Sequence, residues 1–288
     1  MITQAQKQII VNGIRSFIKM KEISQNKAAK IFGISAAQLS RILKGEIDRV
    51  IGDDKFLSIA RKLSLSLKPG TDWVTARTET YTYIYTQLGE VQKMSTSGLL
   101  VDKADIGKTY TAKQYVMNNK NAIYIDCSQA KSKQRLIRKI AKEFGLDSSG
   151  KYNDVFETLI FYLNNAIVEP LIILDEAGDL DYSAFLELKS IWNATENNVA
   201  WYMMGADGLR VKIERFLAQK KVGYAEIFSR FGNKFQKISP ESQQELKEFN
   251  LGQIAMIAKA NGVSDIIDVY AKSEGSLRRL FHEIKKIK

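Results

Sequence analysis

The sequence predicts an α/β fold, a parallel-sheet domain set between two all-helical segments, and three observations carry that prediction. An apolar run, Leu99–Val101, enters the short polar loop Asp102–Ile106, and Gly107-Lys108-Thr109 then opens a stretch of helical character. Further on, a second apolar run, Leu171–Leu174, ends in Asp175-Glu176, with strand-like and helix-like segments alternating between the two runs. Before residue 69 and after Pro240 only the helical period is found.

A chain of 288 residues holds two or three domains, and the boundaries fall at 1–68, 69–238 and 239–288. Apolar residues make up 45% and charged residues 26%, an ordinary balance for a water-soluble chain. No run approaches a membrane span and no charged-then-apolar leader opens the chain, so neither a span nor a signal peptide is expected. Cys127 is the single cysteine and His282 the single histidine, which excludes an internal disulfide and leaves no zinc site. A reducing, cytoplasmic compartment is the expectation. The net charge of +11 is uneven: residues 1–68 hold 13 basic against 5 acidic side chains, 69–236 hold 21 against 20, and 237–288 hold 9 against 7. A concentrated positive segment suits either a nucleic acid partner or a solubilising surface.

Within 4–20, Ile10, Ile14, Phe17 and Ile18 form one helix face. Ser24 is an N-cap for a short helix ending near Phe32, Gly33 supplies the positive φ of a sharp turn, Ile34 plugs the angle, and Ser35 caps the next helix. Ala29 is small where two helices cross closely. This is the pattern of a helix-turn-helix, and it resembles the N-terminal domains of the phage-repressor type. Its second helix would present Ala36, Ala37, Gln38, Ser40 and Arg41 to a major groove. The same pattern also serves a small helical bundle used for packing or protein contact. Asp53–Leu67 reads as a further amphipathic helix, and Lys68–Asp72, with its Pro69-Gly70 turn, as a linker.

Thr75–Leu88 reads as a helix leading to the strand Gly98–Val101. The loop after it has the layout of a phosphate cradle: backbone N–H groups at a helix N-terminus, a mobile charge from Lys108, and a hydroxyl from Thr109 for Mg²⁺. Asp105, Ile106, Gly107, Lys108, Thr109 and Tyr110 are the expected nucleotide contacts. Tyr110–Asn118 is helical, Ala122–Asp126 is a buried strand, and Ser128–Arg135 is a polar, basic connection before helices at Leu136–Phe144 and Val155–Ile167. Leu171–Leu174 reads as a central parallel strand whose end delivers two carboxylates. Asp175 would hold Mg²⁺ through water, and Glu176 would orient the attacking water. Further helices are expected at Phe185–Trp192, Leu209–Phe216 and up to Arg230, with strands at Asn198–Gly205 and Phe235–Ile238. Four helices close the chain, at 241–249, 251–261, 263–271 and 275–286.

In this arrangement residues 75–288 resemble an AAA+ ATPase, a P-loop parallel-sheet domain with a C-terminal helical lid. With the helix-turn-helix in front, nearly the whole chain resembles the phage Mu B family of transposition target-selection ATPases, relatives of the IstB- and TnsC-type regulators. The resemblance makes Lys108 and Thr109 the Walker A pair and Asp175 and Glu176 the Walker B pair. It makes Arg230 an arginine finger that reaches a neighbouring subunit's site, and Arg278 the sensor-2 arginine on the γ-phosphate. It implies ATP and Mg²⁺ as cofactors, double-stranded DNA and a transposase as partners, and a helical filament or ring whose ATP hydrolysis drives disassembly. DNA surfaces would be the helix-turn-helix, through Gln38, Ser40 and Arg41, and pore-facing basic residues Lys131, Lys133 and Arg135. Lys212, Arg215, Lys220 and Lys221 read better as a solvated helix face. Two departures point to slow hydrolysis: Asp102 in place of the leading Walker A glycine, expected to weaken or reshape phosphate contacts, and Gly205-Ala206-Asp207 where a sensor-1 Asn or Thr is expected. A repressor with a passive nucleotide-sensing domain and a helicase-loader-type AAA+ protein are the alternatives.

Overall fold

A computed structural model describes residues 2–63, 65, 67 and 73–287. The expected linker at 68–72 lies outside them. Among the described residues four helices form the N-terminal unit: α1 (Gln4–Lys21), α2 (Gln25–Phe32), α3 (Ala36–Leu43) and α4 (Asp53–Lys62). Their ends are fixed locally. The Ser24 side chain accepts from the N–H of Lys27, Gly33 closes α2 at φ +70°, and Ser35 and Gln38 form a reciprocal capping box at α3. Ile10, Ile14, Leu39, Ile42, Phe56 and Ile59 are fully buried between the helices. The fourth helix stops at Lys62, short of the predicted Leu67.

The central domain opens with α5 (Glu79–Met94), which starts later than predicted because Thr78 takes the N-cap, accepting from the N–H of Tyr81. Then follow β1 (Ser97–Val101), α6 (Lys108–Asn118), β2 (Ala122–Asp126), α7 (Lys133–Glu143), α8 (Tyr152–Asn165), β3 (Leu171–Asp175), α9 (Tyr182–Ala194), β4 (Ala200–Gly205), α10 (Asp207–Ala218) and α11 (Tyr224–Arg230). The four strands are parallel in the order β1-β4-β3-β2. Alternate side chains serve opposite faces. Leu99, Ile125, Leu174 and Trp201 join one apolar cluster with α7–α11, while Leu100, Ile173, Tyr202 and Met204 join another with α5 and α6. The result is a three-layer α/β sandwich with its loops gathered at the C-terminal ends of the strands.

The predicted strand at Phe235–Ile238 is only a single bridge, Gln236 beside Leu100. The reason lies in Asp102, whose carboxylate takes the N–H groups of Ile238 and Ser239 at 2.7 and 2.8 Å and draws the chain off the sheet edge. Two of the four predicted closing helices are one, α12 (Gln243–Ala260). Gly252 faces solvent within it and costs about 1 kcal/mol without breaking it. Packed on it are α13 (Ile266–Ser273) and α14 (Leu277–Ile287), with Ile254, Ala258, Val269, Leu280 and Ile284 as their core.

The N-terminal unit rests on the central domain. The buried Lys21 ammonium donates to the carbonyls of Val116 and Asn119 at the end of α6 and to Ala122 O at 3.3 Å, and Lys62 pairs with Glu143 at 3.2 Å. Among the described residues no helix is long and apolar enough to cross a membrane.

Candidate active site

The loop after β1 turns on two residues with positive φ. Gly107, at +101°, is the N-cap of α6 and needs the freedom that only glycine has there. Asp105 sits at +64°, a region that aspartate tolerates better than most residues. The first turn of α6 carries N–H groups with no intrahelical partner, which makes it an anion cradle. The buried Lys108 ammonium lies against the loop carbonyls of Asp102, at 2.7 Å, and Lys103, at 2.5 Å. Burial holds it below the ordinary lysine value, although the carboxylates of Asp102, Asp175, Glu176 and Asp207 pull the other way.

At the end of β3, Asp175 is 2% exposed and fully engaged. Its Oδ2 accepts from the Thr109 hydroxyl at 2.6 Å and the Tyr124 phenol at 2.8 Å, and its Oδ1 accepts from Glu176 N at 3.0 Å. Tyr124 was not among the residues expected here. A tyrosine in a five-residue buried strand reads as core, and only the pairing of β2 with β3 brings it to Asp175. Burial, then the charge of Asp175, pushes its phenol far above the ordinary value, so it remains a donor. Glu176 stands exposed in the left-handed region at φ +51°. Partial desolvation first, then the neighbouring Asp175, raises its carboxyl above the usual range, with Lys108 opposing.

The Thr109 hydroxyl and the Asp175 carboxylate, in direct contact, are hard oxygen donors of the kind Mg²⁺ takes singly or in pairs while keeping most of its waters. Among the described residues no group of three or more acidic, cysteine or histidine side chains converges as a metal cage, which a cation that keeps its waters does not need. The residues present fit that ion.

Asp102 has a structural part that its place in the motif does not suggest. Its buried carboxylate accepts from Ile238 N, Ser239 N, Lys103 N at 2.7 Å and the Ser239 hydroxyl. Burial pushes its carboxyl up, but the bonds from Ser239, Ile238 and Lys103 outweigh this and leave it below the ordinary range. It ties the phosphate loop to the start of the helical segment 239–288. Asp105 ties the same loop to its end, taking the Ser276 hydroxyl at 2.5 Å and Arg278 N at 3.2 Å. Tyr110, at the outer side of α6, shares a 2.6 Å bond with the Thr75 hydroxyl, and Ile106 is buried.

Residues 78–213 match a family model described as an AAA domain. That stretch runs from the cap of α5 into α10 and contains the loop, Asp175 and Glu176. No curated protein matches the chain. Among solved structures, a mutant RuvB of Thermogota maritima is similar at 14% identity with a TM-score of 0.38, over 73% of this chain and 62% of that one.

Beyond the AAA domain match, Arg230 ends α11 with its guanidinium 5.2 Å from the centre of the Trp192 ring. The Trp192 indole donates to Ser97 at the start of β1, the far end of that strand from the phosphate loop, so Arg230 does not face this chain's own site. Lys133 and Arg135 belong to α7, not to the connection before it. Lys131 pairs with Asp179 at 3.3 Å, Lys133 lies over the Tyr152 ring, and Arg135 is exposed. The cluster predicted as a solvated face is instead partly packed. Lys212 donates to Gly178 O at 2.7 Å, and Lys221 lies over the Tyr182 and Phe216 rings. In the N-terminal unit Ala36, Ala37 and Arg41 are exposed, whereas Gln38 and Ser40 are half-buried.

Proposed function

We propose that this chain is an ATPase that binds duplex DNA with little sequence preference, assembles on it as a filament or ring, and recruits or activates a transposase. ATP hydrolysis drives disassembly. One observation carries the reading: Lys108, Thr109, Asp175 and Glu176 converge at the C-terminal end of a parallel sheet, with Thr109 and Asp175 in contact at 2.6 Å. The α6 N-terminus and Lys108 bind the phosphates. Thr109 and Asp175 would hold Mg²⁺, which when bound neutralises charge on the β- and γ-phosphates. Glu176 orients the water that attacks the γ-phosphorus as the bond to the β-phosphate oxygen breaks. Its raised pKa suits a group that takes up part of the water's charge.

Arg230 lies half-buried against Trp192, away from this chain's own loop, and is assigned to a neighbouring subunit's site, which makes hydrolysis depend on assembly. Arg278 is assigned to the γ-phosphate from the lid. The excess of basic residues in 1–68, with Arg41 exposed on α3 and Arg135 on α7, supports contact with DNA phosphates. The test is negative-stain imaging of the protein with random-sequence duplex, with and without a slowly hydrolysed ATP analogue. Filaments or rings formed only with the analogue support the reading; their absence in both conditions refutes it.

A further inference from the structure

Asp105 is out of place in a phosphate cradle. It stands at φ +64°, where glycine is the low-cost residue, and puts a carboxylate into a loop whose N–H groups and Lys108 favour anions. Both features work against nucleotide binding unless the side chain does something else. What it does is hold the lid. Its Oδ2 accepts from the Ser276 hydroxyl at 2.5 Å, its Oδ1 from Arg278 N at 3.2 Å, and the Arg278 Nε stands 3.6 Å from Oδ1. Leu277, between these two residues, packs over Gly107 of the same loop. The Arg278 side chain is 81% exposed, so its ion pair is weak and easily given up.

We propose that Asp105 is a latch, a positioning residue that keeps the first turn of α14 on the phosphate loop and competes with nucleotide phosphate for that loop. A phosphate entering the cradle brings negative charge beside the Asp105 carboxylate, weakens the latch, and frees Arg278 to turn toward the phosphate. This rests on the nucleotide reading above. Lid closure and phosphate entry then oppose each other through one side chain, whereas Asp102 holds the hinge in either state because its partners, Ile238 and Ser239, lie before α12.

The test compares the full chain with Asp105→Gly and Asp105→Asn. Both replacements accept a positive φ, so the loop itself is preserved. Without nucleotide, amide hydrogen exchange over residues 276–282 should quicken about tenfold in Asp105→Gly, and less in Asp105→Asn, which keeps one acceptor. Binding of a fluorescent ATP analogue should tighten in both variants, by about tenfold, because the repelling charge is gone. Unchanged exchange in Asp105→Gly overturns the latch, and unchanged or weaker analogue binding overturns the competition. If no variant and no wild-type protein binds the analogue, the nucleotide reading fails and the competition fails with it, while the exchange comparison still decides the latch.

Discussion

In the central domain, polar side chains from separate elements converge on one point: Lys108 and Thr109 from α6, Tyr124 from β2, and Asp175 and Glu176 at the end of β3. In the N-terminal unit, the polar side chains expected to face outward are turned onto their own chain. The Gln38 carboxamide accepts from Ser35 N at 2.9 Å and donates to Val50 O at 3.3 Å, and Arg41 is paired with Glu46 at 2.8 Å. A site of the kind proposed for hydrolysis is assembled by bringing residues together, and the fold does that here. A surface that reads bases needs residues the fold leaves unspent, and α3 leaves two alanines and an arginine that is easily released. Under the proposed function, contact there would depend on charge and shape more than on base edges.

The largest expected effect tests the converging half of that comparison. Glu176→Gln should bind nucleotide as tightly as wild type yet hydrolyse it about 10²- to 10³-fold more slowly, because the amide cannot take up charge from the attacking water. Single-turnover hydrolysis beside analogue binding checks it. Loss of binding would mean that Glu176 belongs to the cradle and not to the chemistry.

Next in size is Asp102, which anchors the loop to the start of the C-terminal helical segment. Asp102→Ala orphans the half-buried donor at Ile238 and the buried donors of Ser239, and should cost about 3 kcal/mol by urea denaturation. The acid limb sharpens the assignment. Because the folded carboxyl lies below its ordinary 3.8, its contribution is complete above that value and is lost as pH falls through the lower folded value. The stability gap between wild type and Asp102→Asn should therefore narrow below about pH 4 and stay constant above pH 5. A gap that widens in acid would place the proton elsewhere.

The junction between the two regions comes third. Lys21→Met removes the donor that serves the carbonyls of Val116, Asn119 and Ala122, and should weaken docking of the N-terminal unit by about 2 kcal/mol. Faster hydrogen exchange at the end of α6, with α1 and α4 unchanged, is the expected signature.

The strands and the loop after β1 were legible in the sequence because apolar runs followed by Gly-Lys-Thr or Asp-Glu carry both a period and a chemistry. The bounds of α2 and α3 were legible because Ser24, Gly33 and Ser35 act locally. What sequence could not supply were partnerships across the fold. Tyr124 looks like core until β2 lies beside β3, and Asp102 looks like a damaged motif until Ser239 arrives from 137 residues away. The predicted strand at 235–238 shrinks to one bridge for that same reason, since Gln236 N meets Leu99 O while Ile238 N and Ser239 N are spent on Asp102.

The smallest effect separates structure from recognition within α3. Gln38→Ala breaks one half of a capping box and should cost about 1 kcal/mol of stability, with DNA affinity at saturating fold little changed. Arg41→Ala breaks only an exposed ion pair, so stability should move by less than about 0.5 kcal/mol. Its DNA affinity should fall, and the slope of log affinity against log salt should drop by about one, the signature of a lost phosphate contact. Thermal melts and binding titrations at several salt concentrations measure both quantities on the same samples. If Gln38→Ala weakens DNA binding without loss of stability, its carboxamide leaves the capping box to meet a base, and the two halves of the molecule are less different than their free geometry makes them.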